Sequence, residues 1–275
     1  MTMPLSSPHR FAERLLLYGG GGAGKTNTVL NIASHLPADG SHMHVLDADY
    51  SMAYDRALGT DFQAAADRVT VHTVDADWEP FTGQLADIAA NADDPLNDWL
   101  VIDPISPSWS WVQDWYLETV YGDDLAAFLV SLKKQHAADP SAYQAALMDN
   151  MNWPTIKKEY EKRVWRQIQR WRGNLVLVAE SKALHFRESD DMKQMFSFVG
   201  AKPVGESRLP HVCSTTLYLD HPKPGSWTMT TIKDRNRVEM TRQEVSDFGL
   251  DYLVGIGGWQ PVRGKRTEKA AGGEG

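Results

Sequence analysis

Cysteine is almost missing: Cys213 is the single one in 275 residues, so no internal disulfide can form and a stapled secreted scaffold is excluded. Zinc spacings are missing too, because nine histidines and that one cysteine nowhere form H-x-x-x-H or C-x-x-C. Positive charge is in deficit. With 28 Lys+Arg against 36 Asp+Glu the net charge is −8, so bulk charge does not hold nucleic acid and any contact with it needs a local patch. Long apolar runs are also absent. Leu175–Ala179 is among the longest and is far too short to span a bilayer. Met1 to Arg10, with Pro4 and Pro8 among small polar residues, reads as neither a signal peptide nor an anchor. The expectation is a soluble cytoplasmic protein with no membrane partner. The remaining composition is ordinary, 42% hydrophobic and 23% charged, with room for a full core. Disordered, collagen-like and coiled-coil classes are excluded for the bulk of the chain.

Short apolar runs alternate with helical patterns. Strands are expected at Arg14–Tyr18, His44–Leu46, Val69–Val74, Trp99–Ile102, Asn174–Ala179, Thr215–Leu219 and Trp227–Ile232. The early runs are almost continuously apolar, as central parallel strands covered on both faces are. His221–Ser226, with two prolines and a glycine, reads as a turn between the last two, which are antiparallel. Helices are expected at Lys25–His35, Pro80–Asn91, Gly122–His136 and Pro154–Trp171. The last has Ile156, Tyr160, Val164, Ile168 and Trp171 on one stripe, Pro154 in its first turn and Gly173 past its end. Alternation of this kind implies an α/β fold with a mostly parallel central sheet and helices on both faces. The expected layout is an N-terminal arm over 1–11, one domain over 12–262 with a helical insertion at about 109–152, and a flexible tail over 263–275.

Gly19-Gly20-Gly21-Gly22-Ala23-Gly24-Lys25-Thr26 matches G-x-x-x-x-G-K-[ST] in full, between the strand Leu15–Tyr18 and a helical pattern. The glycines let successive N–H groups converge on phosphate oxygens, and the helix start adds its positive dipole end. Lys25 reaches the β- and γ-phosphates of ATP, the Thr26 hydroxyl ligates Mg²⁺, and Asn27 completes the cofactor-binding run.

The second half of such a site is an acid closing a buried strand. Trp99-Leu100-Val101-Ile102-Asp103 has that form, so Asp103 is assigned to the Mg²⁺ shell. Asp49, in Leu46-Asp47-Ala48-Asp49, is the competing acid with a catalytic or switch role. Hydrolysis also needs a group to orient water. Glu79 is preferred, just after the strand Val69–Val74, with Asp77 and Asp49 as fallbacks.

In this order the motifs resemble a RecA-type P-loop ATPase core, with Asn174–Ser181 where such proteins carry a strand ending in a polar sensor. The chain also resembles the phage-encoded RecA-like proteins of the Sak recombinase group. That likeness rests on Leu16-Leu17-Tyr18-Gly19, Trp153 to Arg172, Arg208-Leu209-Pro210 and Lys233-Asp234-Arg235, and covers roughly residues 12 to 240. Glu180-Ser181 stands where a His or Gln is often seen at the sensor. The resemblance implies that Lys233 and Arg235 reach a neighbouring subunit's γ-phosphate, hence a homo-oligomeric ring or filament.

Two segments are candidates for contact with single-stranded DNA. Lys157–Arg172 carries seven Lys/Arg against two Glu, a local +5 in a chain of net −8. Lys182–Cys213 sits where the resemblance places a mobile DNA-binding loop, and mixes cations with Phe186, Phe196 and Phe198. Trp109, Trp111 and Trp115 are read as core or interface anchors before base-stacking groups. The resulting expectation is an ATP- and Mg²⁺-dependent ATPase acting on single-stranded DNA in recombination or annealing. A P-loop kinase for a small molecule and a nucleotide-binding loader are the alternatives.

Overall fold

The computed structural model describes residues 12–36, 41–49, 52–92, 98–122, 125–150 and 152–245. The expected arm over 1–11 and tail over 263–275 lie outside the described residues. The strands are β1 (Arg14–Gly19), β2 (Met43–Asp47), β3 (Val69–Thr73), β4 (Trp99–Asp103), β5 (Asn174–Ala183), β6 (Ala201–Pro203), β7 (Thr215–Lys223), β8 (Ser226–Asp234) and β9 (Glu244–Val245). They form one sheet in the order β3-β2-β4-β5-β1-β7-β8-β9, with β6 paired to the end of β5. Pairing is parallel from β3 across to β7 and antiparallel for β7–β8, β8–β9 and β5–β6. The fold is α/β, with a mostly parallel sheet and helices on both faces.

Strand alternation explains the unbroken apolar runs. Leu16, Tyr18, Leu46, Leu100, Ile102, Leu175 and Leu177 face one core layer. Their neighbours Leu15, Leu17, Val45, Val101, Val176 and Val178 face the other. The first layer packs against α3 (Trp78–Asn91), α4 (Ser108–Tyr121), α7 (Trp153–Tyr160) and α8 (Arg166–Arg170). The second packs against α1 (Lys25–Ser34) and α2 (Ala53–Gly59). Between α4 and α7 lie α5 (Leu125–Gln135) and α6 (Pro140–Asn150). Among the described residues no helix is long and apolar enough to cross a membrane.

The stripe expected to form one helix over Pro154–Trp171 is buried as expected, yet the helix is interrupted. A π turn, Glu161–Trp165, separates α7 from α8. A repeat of four exceeds the 3.6 residues of an α-turn, so the stripe drifts around the helix, and a turn with i→i+5 bonding absorbs the excess. The guanidinium of Arg14 on β1 closes this element by donating to the carbonyls of Ile168 and Trp171, at 3.1 and 2.6 Å. Trp109, Trp111 and Trp115 pack partly buried against the first core layer.

The expected mobile loop over Lys182–Cys213 is corrected. β5 runs on to Ala183, α9 (Asp190–Phe196) follows, β6 returns antiparallel, and α10 (Leu209–Val212) closes the segment. Phe196 is fully buried with its ring edge-on to Tyr18, 5.8 Å between centroids, and Lys202 pairs with Glu188 at 2.5 Å. Phe196, taken for a DNA contact, thus serves the core, and Lys202, one of the cations of the segment, serves an ion pair. Phe186 remains 72% exposed, with the Arg187 guanidinium 5.2 Å from its ring.

Three imidazoles crowd the outer strands. His44 Nδ1 lies 3.5 Å from His72 Nε2, the His42 and His44 rings are 4.9 Å apart, and Asp98 Oδ2 is 3.9 Å from His44 Nε2. Burial, then the charges of His44 and His42, hold the His72 pKa below its ordinary value. A histidine depressed in the folded state binds fewer protons there than when unfolded, so its stabilisation is present above about pH 6.5 and is lost as pH falls below it. Thermal melts of His72→Gln at pH 8 and pH 5.5 are therefore expected to differ less than those of the wild type. An equal pH response in the two proteins overturns this.

Candidate functional site

The site forms where the C-terminal ends of the parallel strands meet the start of α1. Gly19 ends β1 against the β7 backbone, and a Cβ there would lie 2.2 Å from the Leu219 carbonyl oxygen. Gly22 and Gly24 hold φ of 73° and 87°, the left-handed region that strains any other residue. The loop therefore needs glycine at these positions for two separate reasons, close approach and handedness. Lys25, the first residue of α1, curls back over it and donates to the carbonyls of Gly19 and Gly20 at 3.0 and 2.8 Å. Burial lowers its pKa, against the pull of the Asp103, Glu180 and Asp49 carboxylates.

Asp103 ends β4 and is only 8% exposed. Its Oδ2 accepts from the Tyr54 hydroxyl at 2.6 Å and from the Thr26 hydroxyl at 3.4 Å. Burial, with the nearby Asp49 carboxylate, pushes its pKa up to about 6, although Tyr54, Lys25 and Thr26 oppose the shift. Asp47 on the adjacent strand is in register with Asp103. Burial raises it, and hydrogen bonding to Asp49 and the charge of that residue raise it further. Asp49 itself is exposed at the mouth, two residues past Asp47. A desolvated carboxylate beside a hydroxyl is a pair of hard oxygen donors, which is what Mg²⁺ takes alongside phosphate oxygens and water, so Thr26 and Asp103 fit that ion.

The structure brings Lys25, Thr26, Asp103 and Asp49 together with the glycine loop and sets Glu79 apart. Glu79 sits in the first turn of α3, and its carboxylate is ion-paired with Arg163, which also holds Glu159 at 2.6 Å. Asp77 caps α3 by accepting from the Trp78 amide at 2.6 Å. Glu180, which the resemblance places at the sensor, is in register with Gly19, and its charge acts on Lys25. Lys233 and Arg235 are at the other end of the sheet, because Leu219 pairs with Gly19 while Thr215 pairs with Asp234. Lys233 donates to the carbonyls of Pro210 and Cys213 at 2.7 and 2.8 Å, and burial, with Arg235 nearby, lowers its pKa to about 8. Arg235 is exposed.

Two groups at the site have no motif to betray them. Tyr54 comes from α2, whose seven residues carry no strong periodicity. Trp227 comes from the β7–β8 hairpin, which folds over the loop so that its indole donates to the Gly22 carbonyl at 3.2 Å and stacks on His221, 4.7 Å and 4° apart. Beside it a pocket of ≈ 340 Å³ opens along α1, lined by Gly24, Asn27, Asn31 and Phe62 among others. A chain pattern shows that a hairpin exists there, but which loop it lands on depends on β7 lying next to β1.

No protein-family model matches the chain, and no curated protein matches it in sequence. Among solved structures it is similar to a KaiC-like protein from the hyperthermophilic archaeon Pyrococcus horikoshii OT3, with 12% identity over 84% of this chain and 82% of the other and a TM-score of 0.45.

Proposed function

We propose that the chain is a RecA-like P-loop ATPase that binds ATP with Mg²⁺ at Gly19–Asn27 and acts on single-stranded DNA as an oligomer. The observation that carries the nucleotide reading is the convergence of a loop that only glycine can form, Lys25, Thr26 and the buried Asp103 at the strand ends. Loop amides and Lys25 bind the phosphates, Lys25 exchanging the Gly19 and Gly20 carbonyls for phosphate oxygens. Thr26 and Asp103 hold the Mg²⁺, which when bound neutralises charge on the phosphates. Asp49 orients the attacking water in place of Glu79, whose carboxylate is engaged by Arg163. The ledge of Trp227 takes the nucleobase by stacking, with Phe62 across the pocket.

Arg235 supports the oligomeric reading by its position. It is exposed at the end of the sheet opposite its own phosphate loop, so any γ-phosphate it contacts belongs to another copy. The role in phage recombination or annealing rests on the sequence resemblance.

ATP hydrolysis with and without single-stranded DNA, with Lys25→Ala as the blank, tests this reading. Stimulation that vanishes in the variant supports it; steady turnover with no response to DNA overturns the DNA-coupled part. Trp227→Ala is expected to weaken binding of a fluorescent ATP analogue by about tenfold or more, the scale of one lost base–aromatic stack. Unchanged affinity would remove the base ledge.

A further inference from the structure

Away from the nucleotide loop, a groove of ≈ 410 Å³ runs between α3 and the α7–α8 element. One wall presents Lys162, Arg166 and Arg170, four residues apart and all exposed, so three cations follow one another along about 12 Å of helix axis. Like charges at this spacing repel and destabilise a helix. Among the described residues no ion pair quenches any of the three, whereas Arg163 beside them is held by Glu79 and Glu159. The opposite wall is low: Thr82, Gly83 and Ala86 of α3 leave room for a chain to approach the helix backbone, and the Glu79 carboxylate on that wall is paired with Arg163. No aromatic side chain and no large apolar side chain lines the groove.

We propose that this groove holds the phosphodiester backbone of a single-stranded nucleic acid, with Lys162, Arg166 and Arg170 each meeting a phosphate. The inference rests on the strand-binding reading above and adds where the strand lies. A peptide partner needs anchor pockets for its side chains, and the lining has none. A row of three cations, two of them fork-shaped guanidinium groups, suits a backbone that repeats its negative charge at every unit. Contact is to the backbone, so it carries no base preference and depends steeply on salt.

The test is fluorescence anisotropy of a labelled oligothymidylate across a salt series, with three proteins. They are the wild type, the groove variant Lys162→Gln/Arg166→Gln/Arg170→Gln, and a variant of equal charge loss elsewhere, Lys133→Gln/Lys134→Gln/Lys223→Gln. The groove variant is expected to bind at least about tenfold more weakly at low salt. Its plot of log affinity against log salt should be flatter by about 2, three phosphates at roughly 0.7 each for a single strand. The other variant should stay near the wild type, and ATP turnover without DNA should be the same in all three. Wild-type binding with equal affinity and slope in the groove variant overturns the groove and leaves strand binding standing. No binding by the wild type overturns both. A groove variant whose oligomeric mass changes without DNA, in step with its loss of binding, assigns the stripe to a contact between copies and overturns the proposal.

Discussion

Asp49→Asn is expected to lower ATP turnover by about 10²–10⁴-fold while nucleotide binding stays within a few-fold of wild type, the range for removing a group that orients or deprotonates the attacking water. Glu79→Gln is expected to leave turnover within about twofold, a bound set by its surroundings: Arg163 holds it and Lys25 is not among its partners. The asymmetry has a geometric source. Asp49 follows Asp47, which is level with Asp103 on the neighbouring strand, and the Asp49 charge acts on both Lys25 and Asp103. Single-turnover hydrolysis beside equilibrium binding of an ATP analogue separates the two residues. A large loss in Glu79→Gln with little in Asp49→Asn would reverse the assignment.

Arg237→Leu is expected to have the largest effect on stability. Arg237 is 4% exposed and bridges two buried acids: it donates to both Glu13 oxygens at 2.8 and 3.0 Å and to Asp234 at 2.6 Å. The cluster ties the entry of β1 to the exit of β8, elements more than two hundred residues apart in the chain. Removing the cation leaves two carboxylates in a dry site, a loss of about 3–5 kcal/mol. For a domain of this size that corresponds to a fall in Tm of about 6–20 °C. A melt within a few degrees of wild type would mean that water reaches the acids once the arginine is gone. Asp234 is the middle residue of Lys233-Asp234-Arg235, so that segment has a structural anchor between its two cations.

Much of this molecule was legible before folding was considered. The glycine loop was readable because it matches G-x-x-x-x-G-K-[ST] in full; φ at Gly22 and Gly24 is a local demand, whereas the close approach at Gly19 is to β7. The central strands β1, β4 and β5 were readable because burial on both faces leaves unbroken apolar runs. β6 and β9, three and two residues long, were not, since only backbone pairing with an existing strand makes them strands. The segment over Lys182–Cys213 read as a loop for a related reason: its order comes from Phe196 packing on Tyr18 and from β6 pairing with β5.

Glu79 and Asp49 mark the same boundary. Each is an acid shortly after an expected strand, and sequence offers no reason to prefer the one whose strand is adjacent to Asp103. Strand order makes that choice: β2 lies between β3 and β4, so Asp49 reaches the phosphate loop's acids while Glu79 is carried outward to α3 and Arg163. Sequence by itself determined the glycine loop, the acid that closes β4 and the α/β alternation, because each is written as a pattern within a short stretch of chain. Tertiary structure alone decided which acid stands by Lys25, which tryptophan covers the loop and which cations face a groove, because each depends on elements distant in sequence that meet only when the sheet is ordered.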